Sequence, residues 1–308
     1  TAPSVRPRPS AQGSISELCC DALDIANVLM PIDRTEFSHA ALSTATVLAE
    51  RFGACLNTIS VSDRGAVEKA TLREAAAKMI GVNQGNERAI VVNGNDPARA
   101  IIQRSTELAP CLVCLSTRSR GRFAGALTTS VANSLIGLSS QPFVAVGPEA
   151  ERPGWLPAPF WPPPLTVDRI VAYVYGSGVS EQVLPVAAAW ARALDMALSI
   201  VTVTDGNSPA AGRRTADVRY GSAGTARRYV DELVEHWTDS APVVDGLAIR
   251  DPIGAASGLA AHLLHQRPTG LVAVAAQARF GMQRLLLGST SATIVRTSRT
   301  PCLVVPVA

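Results

Sequence analysis

The sequence predicts an α/β fold of two tandem units, each a doubly wound sheet of five parallel strands. Short apolar runs alternate with segments of helical periodicity, which is the order that parallel sheets with right-handed crossovers require. The same series of elements occurs twice along the chain. The two series also end on similar phrases, "ALTTSVANSLIGLSSQPFVAVG" in the first and "LLLGSTSATIVRTSRTPCLVVP" in the second.

The first series begins with the apolar run "ANVLMPID", which is typical of a buried parallel strand and ends at Asp33. A segment of helical periodicity follows, and Gly53 marks its end. The strand "CLNTISVS", a helix near 67–80 and the strand "RAIVVNG" come next. Asp96 and Pro97 suit the N-cap and first residue of another helix. The segments "CLVCLS", "SVANSLIGLS" and "PFVAVG" complete the series as strand, helix and strand.

The second series repeats this order. Its strands are "RIVAYVYG", "ALSIVTVTD", "VVDGLAI", "GLVAVAA" and "PCLVVPV", and Asp251-Pro252 opens a helical segment as Asp96-Pro97 does. An internal duplication explains the repetition. Between the copies, a segment dense in proline is typical of a semi-rigid linker. We therefore predict a disordered tail, a first domain, a Pro-rich linker and a second domain over 1–24, 25–147, 148–166 and 167–308.

Composition disfavours several classes of protein. The chain has 308 residues, of which 47% are apolar and 17% charged, against a usual charged fraction of about 25%, so much of it should be buried. A net charge of +3 disfavours a nucleic-acid surface. No apolar run approaches the roughly 18 residues that cross a membrane, and the first residues lack the apolar region of a signal peptide. We therefore expect a cytoplasmic protein.

The six cysteines do not form the framework of a small disulfide-rich domain. Cys111 and Cys114 lie three residues apart within a strand, where such positions point to opposite faces. This spacing predicts buried thiols and disfavours a shared metal or redox site. His262 and His265 supply too few ligands for zinc. We therefore predict no metal-binding residues.

These residues resemble the universal stress protein family in its tandem two-domain form. The resemblance rests on the strand end "PID", the "DP" helix start and the closing segment "LLLGSTSATIVRTSRTPCLVVP", and it covers about 25–147 and 167–308. It implies the strand order 3-2-1-4-5 in each half, in the Rossmann-like fold of the adenine nucleotide alpha hydrolases. It also implies that the halves pair through their fifth strands as an internal pseudo-dimer, and it leaves open a further homodimer.

One branch of this family binds ATP through the pattern G-x2-G-x9-G-[S/T] after strand four. Glycine lets the backbone approach phosphates, and a helix N-terminus offers free N–H groups to an anion. An acidic residue at the end of strand one faces the nucleoside. The resemblance thus implies ATP or a related adenine nucleotide, accompanied by Mg²⁺. The implied binding residues are Asp33, Ser116, Arg118, Ser119, Arg120, Thr129, Ser130, Tyr175, Ala275, Ala278, Gly288, Ser289 and Thr290.

The two halves depart from this pattern in different ways. The first half has the acid, Asp33, but its glycine positions hold Ser116, Ser119 and Thr129. The second half keeps Gly288 and Ser289, but its other glycine positions hold Ala275 and Ala278, and Tyr175 replaces the acid. Because alanine or serine is strained where a glycine adopts positive φ, these replacements place both sites in question.

Other side chains in the same loops are open to two interpretations. Arg118, Arg120 and Arg122 in the first half and Arg279 and Arg284 in the second either contact phosphates or belong to an ordinary basic surface loop. Tyr175 either stacks on a base or fills space. Gly288-Ser289-Thr290 either binds an anion or starts a helix without a ligand.

Three functional hypotheses follow. The first is a stress-response regulatory protein that binds an adenine nucleotide and hydrolyses ATP slowly at most, because no general base or metal-binding carboxylate pair is evident. The lack of a P-loop and of a nucleophile elbow disfavours a P-loop enzyme and an α/β-hydrolase. The second is a non-nucleotide scaffold that acts through a protein partner, which the missing glycines favour. The third and least favoured is an adenine-nucleotide transferase.

Overall fold

A computed structural model describes most of both halves. The described residues are 23–33, 40–63, 66–79, 88–117, 131, 134–135, 139–147, 150, 169–204, 223–254, 258–259, 270–277 and 289–307. Most of the predicted tail and linker lies outside these ranges, so the domain boundaries stay predictions.

The first half consists of parallel strands joined by helices, in the predicted order. Its strands are β1 Asn27–Pro31, β2 Cys55–Ser62, β3 Ala89–Asn93, β4 Cys111–Ser116 and β5 Phe143–Val146. Its helices are α1 Leu42–Phe52, α2 Ala66–Met79 and α3 Pro97–Glu107.

The second half repeats the arrangement. Its strands are β6 Arg169–Tyr173, β7 Ala197–Thr204, β8 Val244–Arg250, β9 Leu271–Gln277 and β10 Cys302–Val307. Its helices are α4 Gly178–Glu181, α5 Val183–Ala193, α6 Ala223–Trp237 and α7 Ser289–Thr297, with a 3₁₀ turn at Thr238–Ser240.

The ten strands among the described residues form one sheet, in the order β3-β2-β1-β4-β5-β10-β9-β6-β7-β8. Each half therefore has the order 3-2-1-4-5, and the prediction for the fold is confirmed. Pairing is parallel within each half, whereas β5 and β10 pair antiparallel. The fifth strands thus join the two halves, as the resemblance implies.

A pseudo-two-fold axis passes through the junction of β5 and β10. Val144 lies opposite Leu303, and the register of each strand with its neighbours makes these two residues equivalent in the two halves. The flanking pairs are exchanged by the axis, as a reciprocal interface requires. They are Phe143 with Val304 and Ala145 with Cys302.

The core lies on both faces of the sheet and continues across the junction. Each of the two apolar clusters draws buried residues from both halves. On one face α1 meets α5, where the rings of Phe52 and Trp190 pack edge to face with centroids 5.4 Å apart. Beside them, the Arg51 guanidinium donates to the Leu194 carbonyl at 3.5 Å. The halves therefore share one core.

The helix ends follow local sequence signals. Gly53 ends α1 with φ of 64°, and Asp195 occupies the corresponding place after α5 with φ of 54°. Asp96 caps α3 by accepting from the Arg99 amide at 3.1 Å, as predicted. Asp251 behaves differently from the prediction. It accepts from the Ile253 amide at 2.7 Å in a bend, and the described helical residues, 258–259, come later.

The cysteines of β4 occupy opposite faces of the sheet, as their spacing predicts. Cys114 belongs to one apolar cluster and Cys111 borders the other. Burial raises the pKa of the Cys111 thiol to about 11 and raises the pKa of Cys114 further. Both thiols therefore stay protonated at neutral pH and are poor nucleophiles.

The described helices are short compared with the thickness of a bilayer. None of them is long and apolar enough to cross a membrane.

Candidate functional site

The strand order places a crevice at the carboxyl edge of each half. In doubly wound sheets, ligands bind where the strand order reverses, at the carboxyl ends of the strands. This place lies between β1 and β4 in the first half and between β6 and β9 in the second. The predicted binding residues that the structure describes lie at these two places.

In the first half, Asp33 and Ser116 end the two strands that flank the crevice. Hydrogen bonding continues one residue beyond β1, since the Ile32 amide donates to the Ile59 carbonyl at 2.9 Å. The Ser60 hydroxyl also donates to the Ile32 carbonyl, at 3.2 Å. Asp33 follows directly and is exposed, whereas Ser116 is partly buried at the end of β4. The fixed backbone therefore presents the Asp33 carboxylate at the carboxyl edge.

In the second half, Tyr175 occupies the place that Asp33 has in the first. The Val174 amide donates to the Val201 carbonyl at 2.9 Å, which reproduces the bond beyond β1. Tyr175 is 36% exposed, and its ring centroid lies 6.3 Å from that of Tyr173. The alignment of Tyr175 with Asp33 is thus supported by backbone pairing, and an aromatic ring replaces a carboxylate at this edge.

Two buried serines hold the turn after Tyr175. Gly176 has φ of 75°, which lets the chain reverse towards α4. The Ser177 hydroxyl accepts from the Ser180 amide at 3.3 Å, and the Ser180 hydroxyl accepts from the Tyr175 amide at 3.1 Å. Sequence reasoning missed these two serines. Their spacing, Ser-x-x-Ser at a helix start, resembles a capping box and was the available signal.

Ala275 and α7 form the other wall of this crevice. Ala275 pairs with Val305 as Ser116 pairs with Val146, so Ala275 and Ser116 are equivalent. The described part of helix α7 runs from Ser289, with Thr290 next to it. The buried Ser291 hydroxyl donates to the Ala275 carbonyl at 2.8 Å. Ser291, which sequence reasoning did not select, therefore attaches the start of α7 to the end of β9.

The remaining predicted residues lie outside the described ranges. They are Arg118, Ser119, Arg120, Thr129, Ser130, Ala278 and Gly288, together with the loop arginines Arg122, Arg279 and Arg284. Their roles stay predictions.

The described side chains at the two edges offer a carboxylate, hydroxyl groups and an aromatic ring. Among the residues that the structure describes, no group of three or more His, Cys, Asp or Glu is placed to hold a metal ion. In general, the amides of a helix's first turn have no partners within the helix and can donate to an anion.

A sequence model of the universal stress protein family matches residues 25–147 and 166–306. The chain belongs to the universal stress protein family. The two matches agree with the two halves of the sheet, so this is a tandem member. A search of curated protein sequences gave no match.

Solved structures share the fold over nearly the whole chain. A universal stress protein from Archaeoglobus fulgidus is 18% identical over 91% of this chain and 98% of its own, with a TM-score of 0.57. A functionally unknown protein from Pseudomonas aeruginosa is 17% identical over 93% of this chain and 94% of its own, with a TM-score of 0.58. At these identities the likeness establishes the fold alone.

Proposed function

We propose that this universal stress protein binds ATP or a related adenine nucleotide and acts as a regulatory protein in the stress response. The proposed ligand lies at the carboxyl edge of the sheet, with phosphates at the loop and helix start after strand four. Its base lies near the end of strand one. Any ATP hydrolysis is slow, since the sequence offers no evident general base or metal-binding carboxylate pair.

The start of α7 carries this proposal. The bond from Ser291 to the Ala275 carbonyl holds the first turn of α7 at the reversal point between β6 and β9. Amides without helical partners and the positive end of the helix dipole there favour an anion. Small residues at the nearby positions, including Ala275, leave room for phosphate groups.

The two halves would hold the nucleoside differently. In the first half the Asp33 carboxylate can accept hydrogen bonds from a ligand at the edge of β1. In the second half the Tyr175 ring offers a surface on which a base can stack. Mg²⁺ would enter with the nucleotide and be held mainly by its phosphates, as this ion commonly is.

Calorimetric titration with ATP, with and without Mg²⁺, tests the proposal. Ser291→Ala removes the hydroxyl that attaches α7 to β9 and should weaken binding about tenfold at the second site. Ser298→Ala is the matched control, because the Ser298 hydroxyl donates to the Thr300 carbonyl at 2.7 Å at the other end of the same helix.

Paired variants at the strand-one positions assign binding to a half. Asp33→Asn should weaken binding only in the first half, and Tyr175→Leu only in the second. Absence of both heat and a thermal shift at millimolar ATP in the wild type would refute nucleotide binding.

A protein scaffold is the second candidate. Tyr175 and Ile253 are respectively 36% and 83% exposed and follow strands of the second half at their carboxyl ends. Exposed apolar side chains of this kind favour a protein partner more than a nucleotide. Val243 is also exposed and lies beyond the other end of β8, so Val243→Lys is the control. If ATP does not bind, loss of a partner protein in Ile253→Lys but not in Val243→Lys would support the scaffold.

A further inference from the structure

Gly147 brings the first half into close contact with α7 of the second half. Gly147 is buried and directly follows β5. A Cβ atom added to it would lie 2.1 Å from the Val295 carbonyl oxygen and 3.3 Å from the carbonyl carbon. Since Val295 lies near the carboxyl end of α7, only a residue without a side chain permits this approach of the two backbones.

The glycine of this contact is present on one side of the pseudo-two-fold axis only. The place equivalent to Gly147 in the second half is Pro306, because Val146 and Val305 pair with the equivalent residues Ser116 and Ala275. Pro306 lies within β10 and pairs with Ala276. The position of α7 therefore depends on the first half through Gly147. The equivalent residue of the second half, Pro306, is not a glycine.

Helix α7 links this contact to the candidate site. It has nine residues, so its length is about 13 Å, and a helix of this length moves largely as a rigid rod. Ile294 and Val295 are buried near one end, and Ser291 is bonded to the Ala275 carbonyl near the other. A displacement at Val295 would therefore change the position of the first turn.

We propose that Gly147 is a positioning residue for the nucleotide site of the second half, so that this site is completed by the first half. The proposal rests on the proposed function, since it concerns the same site. The methyl group that Gly147→Ala introduces would require a separation of more than about 3 Å from the Val295 oxygen, so α7 or β5 would move by about 1 Å. Movement of α7 by this amount would lengthen or break the 2.8 Å bond from the Ser291 hydroxyl to the Ala275 carbonyl.

The test is a double-mutant cycle on the full chain with ATP as the probe. Gly147→Ala should weaken ATP binding about tenfold, the effect expected when the one hydrogen bond that attaches α7 to β9 is lost. Gly224→Ala is the control, because no atom lies within 4 Å of its added Cβ, and it should leave the affinity unchanged. In the Ser291→Ala background, Gly147→Ala should weaken binding by much less than tenfold.

Ligand-free protein separates this proposal from the proposed function. The amide resonances of residues 289–291 should shift in Gly147→Ala and not in Gly224→Ala, whether or not ATP binds. Unchanged amide resonances in folded Gly147→Ala would overturn the positioning role, and so would affinity losses that simply add in the double variant. If the wild type binds no ATP but the amide resonances shift in Gly147→Ala, only the proposed function is refuted. The effect of Gly147 on the position of α7 then stands.

A measurement on the wild type covers the case in which Gly147→Ala does not fold. The Ala150 amide donates to the Gly147 carbonyl at 3.2 Å, so its hydrogen exchange reports on the chain at this contact. Coupling between two places is reciprocal, so ATP binding at α7 should slow exchange of the Ala150 amide. Exchange at Ala150 that is the same with saturating ATP would count against the proposal.

Discussion

Truncation of Trp190 should destabilise both halves of the protein together. Trp190 is 1% exposed and packs on Phe52 of the other half. Trp190→Ala removes the whole buried ring and should lower the free energy of unfolding by about 3–5 kcal/mol. A double-mutant cycle with Phe52→Leu and Trp190→Leu should assign about 0.5–1.5 kcal/mol to the ring pair itself.

Urea denaturation followed by far-UV circular dichroism measures this loss. Because the apolar clusters and the sheet continue across the junction, we expect one transition whose urea dependence reflects the surface of the whole chain. Ile101→Ala is the reciprocal variant, since Ile101 is 2% exposed on α3 of the first half, and it should cost about 2–5 kcal/mol.

The two variants should move the same transition to lower urea concentration. Independent halves would give a different pattern, in which two transitions appear and each variant moves only one of them. That result would refute the view that the halves share one core, because it would mean that the contact between Phe52 and Trp190 does not couple their unfolding.

Three further predictions concern local stability. Gly53→Ala should lower the free energy of unfolding by about 1 kcal/mol, because φ is 64° and the strain is that of the backbone alone. Asp195→Gly should raise it by a similar amount, and urea midpoints equal to that of the wild type would contradict both expectations. Gly246→Ala should cost about 1–3 kcal/mol, since its Cβ would lie 2.4 Å from a methyl of Val230, and an unchanged melting temperature would argue against it. Burial raises the pKa of Cys302 from 9.0 to about 12, so the folded protein holds the thiol proton more tightly than the unfolded chain does. The contribution of this thiol to the free energy of unfolding is complete below pH 9 and is lost towards pH 12, at up to about 1.4 kcal/mol per pH unit. Cys302→Ala should therefore flatten the decline in stability between about pH 9 and 11, and parallel curves would contradict the assignment.

Much of the fold could be predicted from the sequence because it depends on local patterns. Apolar runs and helical periodicity predict the strands and helices, since each pattern reports which side of an element is buried. Gly53 and Asp96 predict helix ends through backbone conformation and a side-chain cap, which involve only neighbouring residues. The opposite burial of Cys111 and Cys114 follows from the period of a strand.

Part of the candidate site was also accessible from the sequence. Asp33 and Tyr175 were aligned from the repeat, and the backbone bonds beyond β1 and β6 place them equivalently. Asp251 was wrong as a helix start, because its carboxylate bonds the Ile253 amide in a bend. Ser291 was missed, since its partner, the Ala275 carbonyl, lies on another element.

By itself, the sequence determined the order of elements, the internal repeat and the strand ends at which a ligand is expected, since these depend on residues close together along the chain. Only the tertiary structure decided that Phe52 packs on Trp190 and that Gly147 lies against the carbonyl of Val295. The physical reason is that a burial pattern specifies which side chains leave water but not which partners they meet. Those partners are selected by the pairing of β5 with β10, which brings together residues distant in sequence.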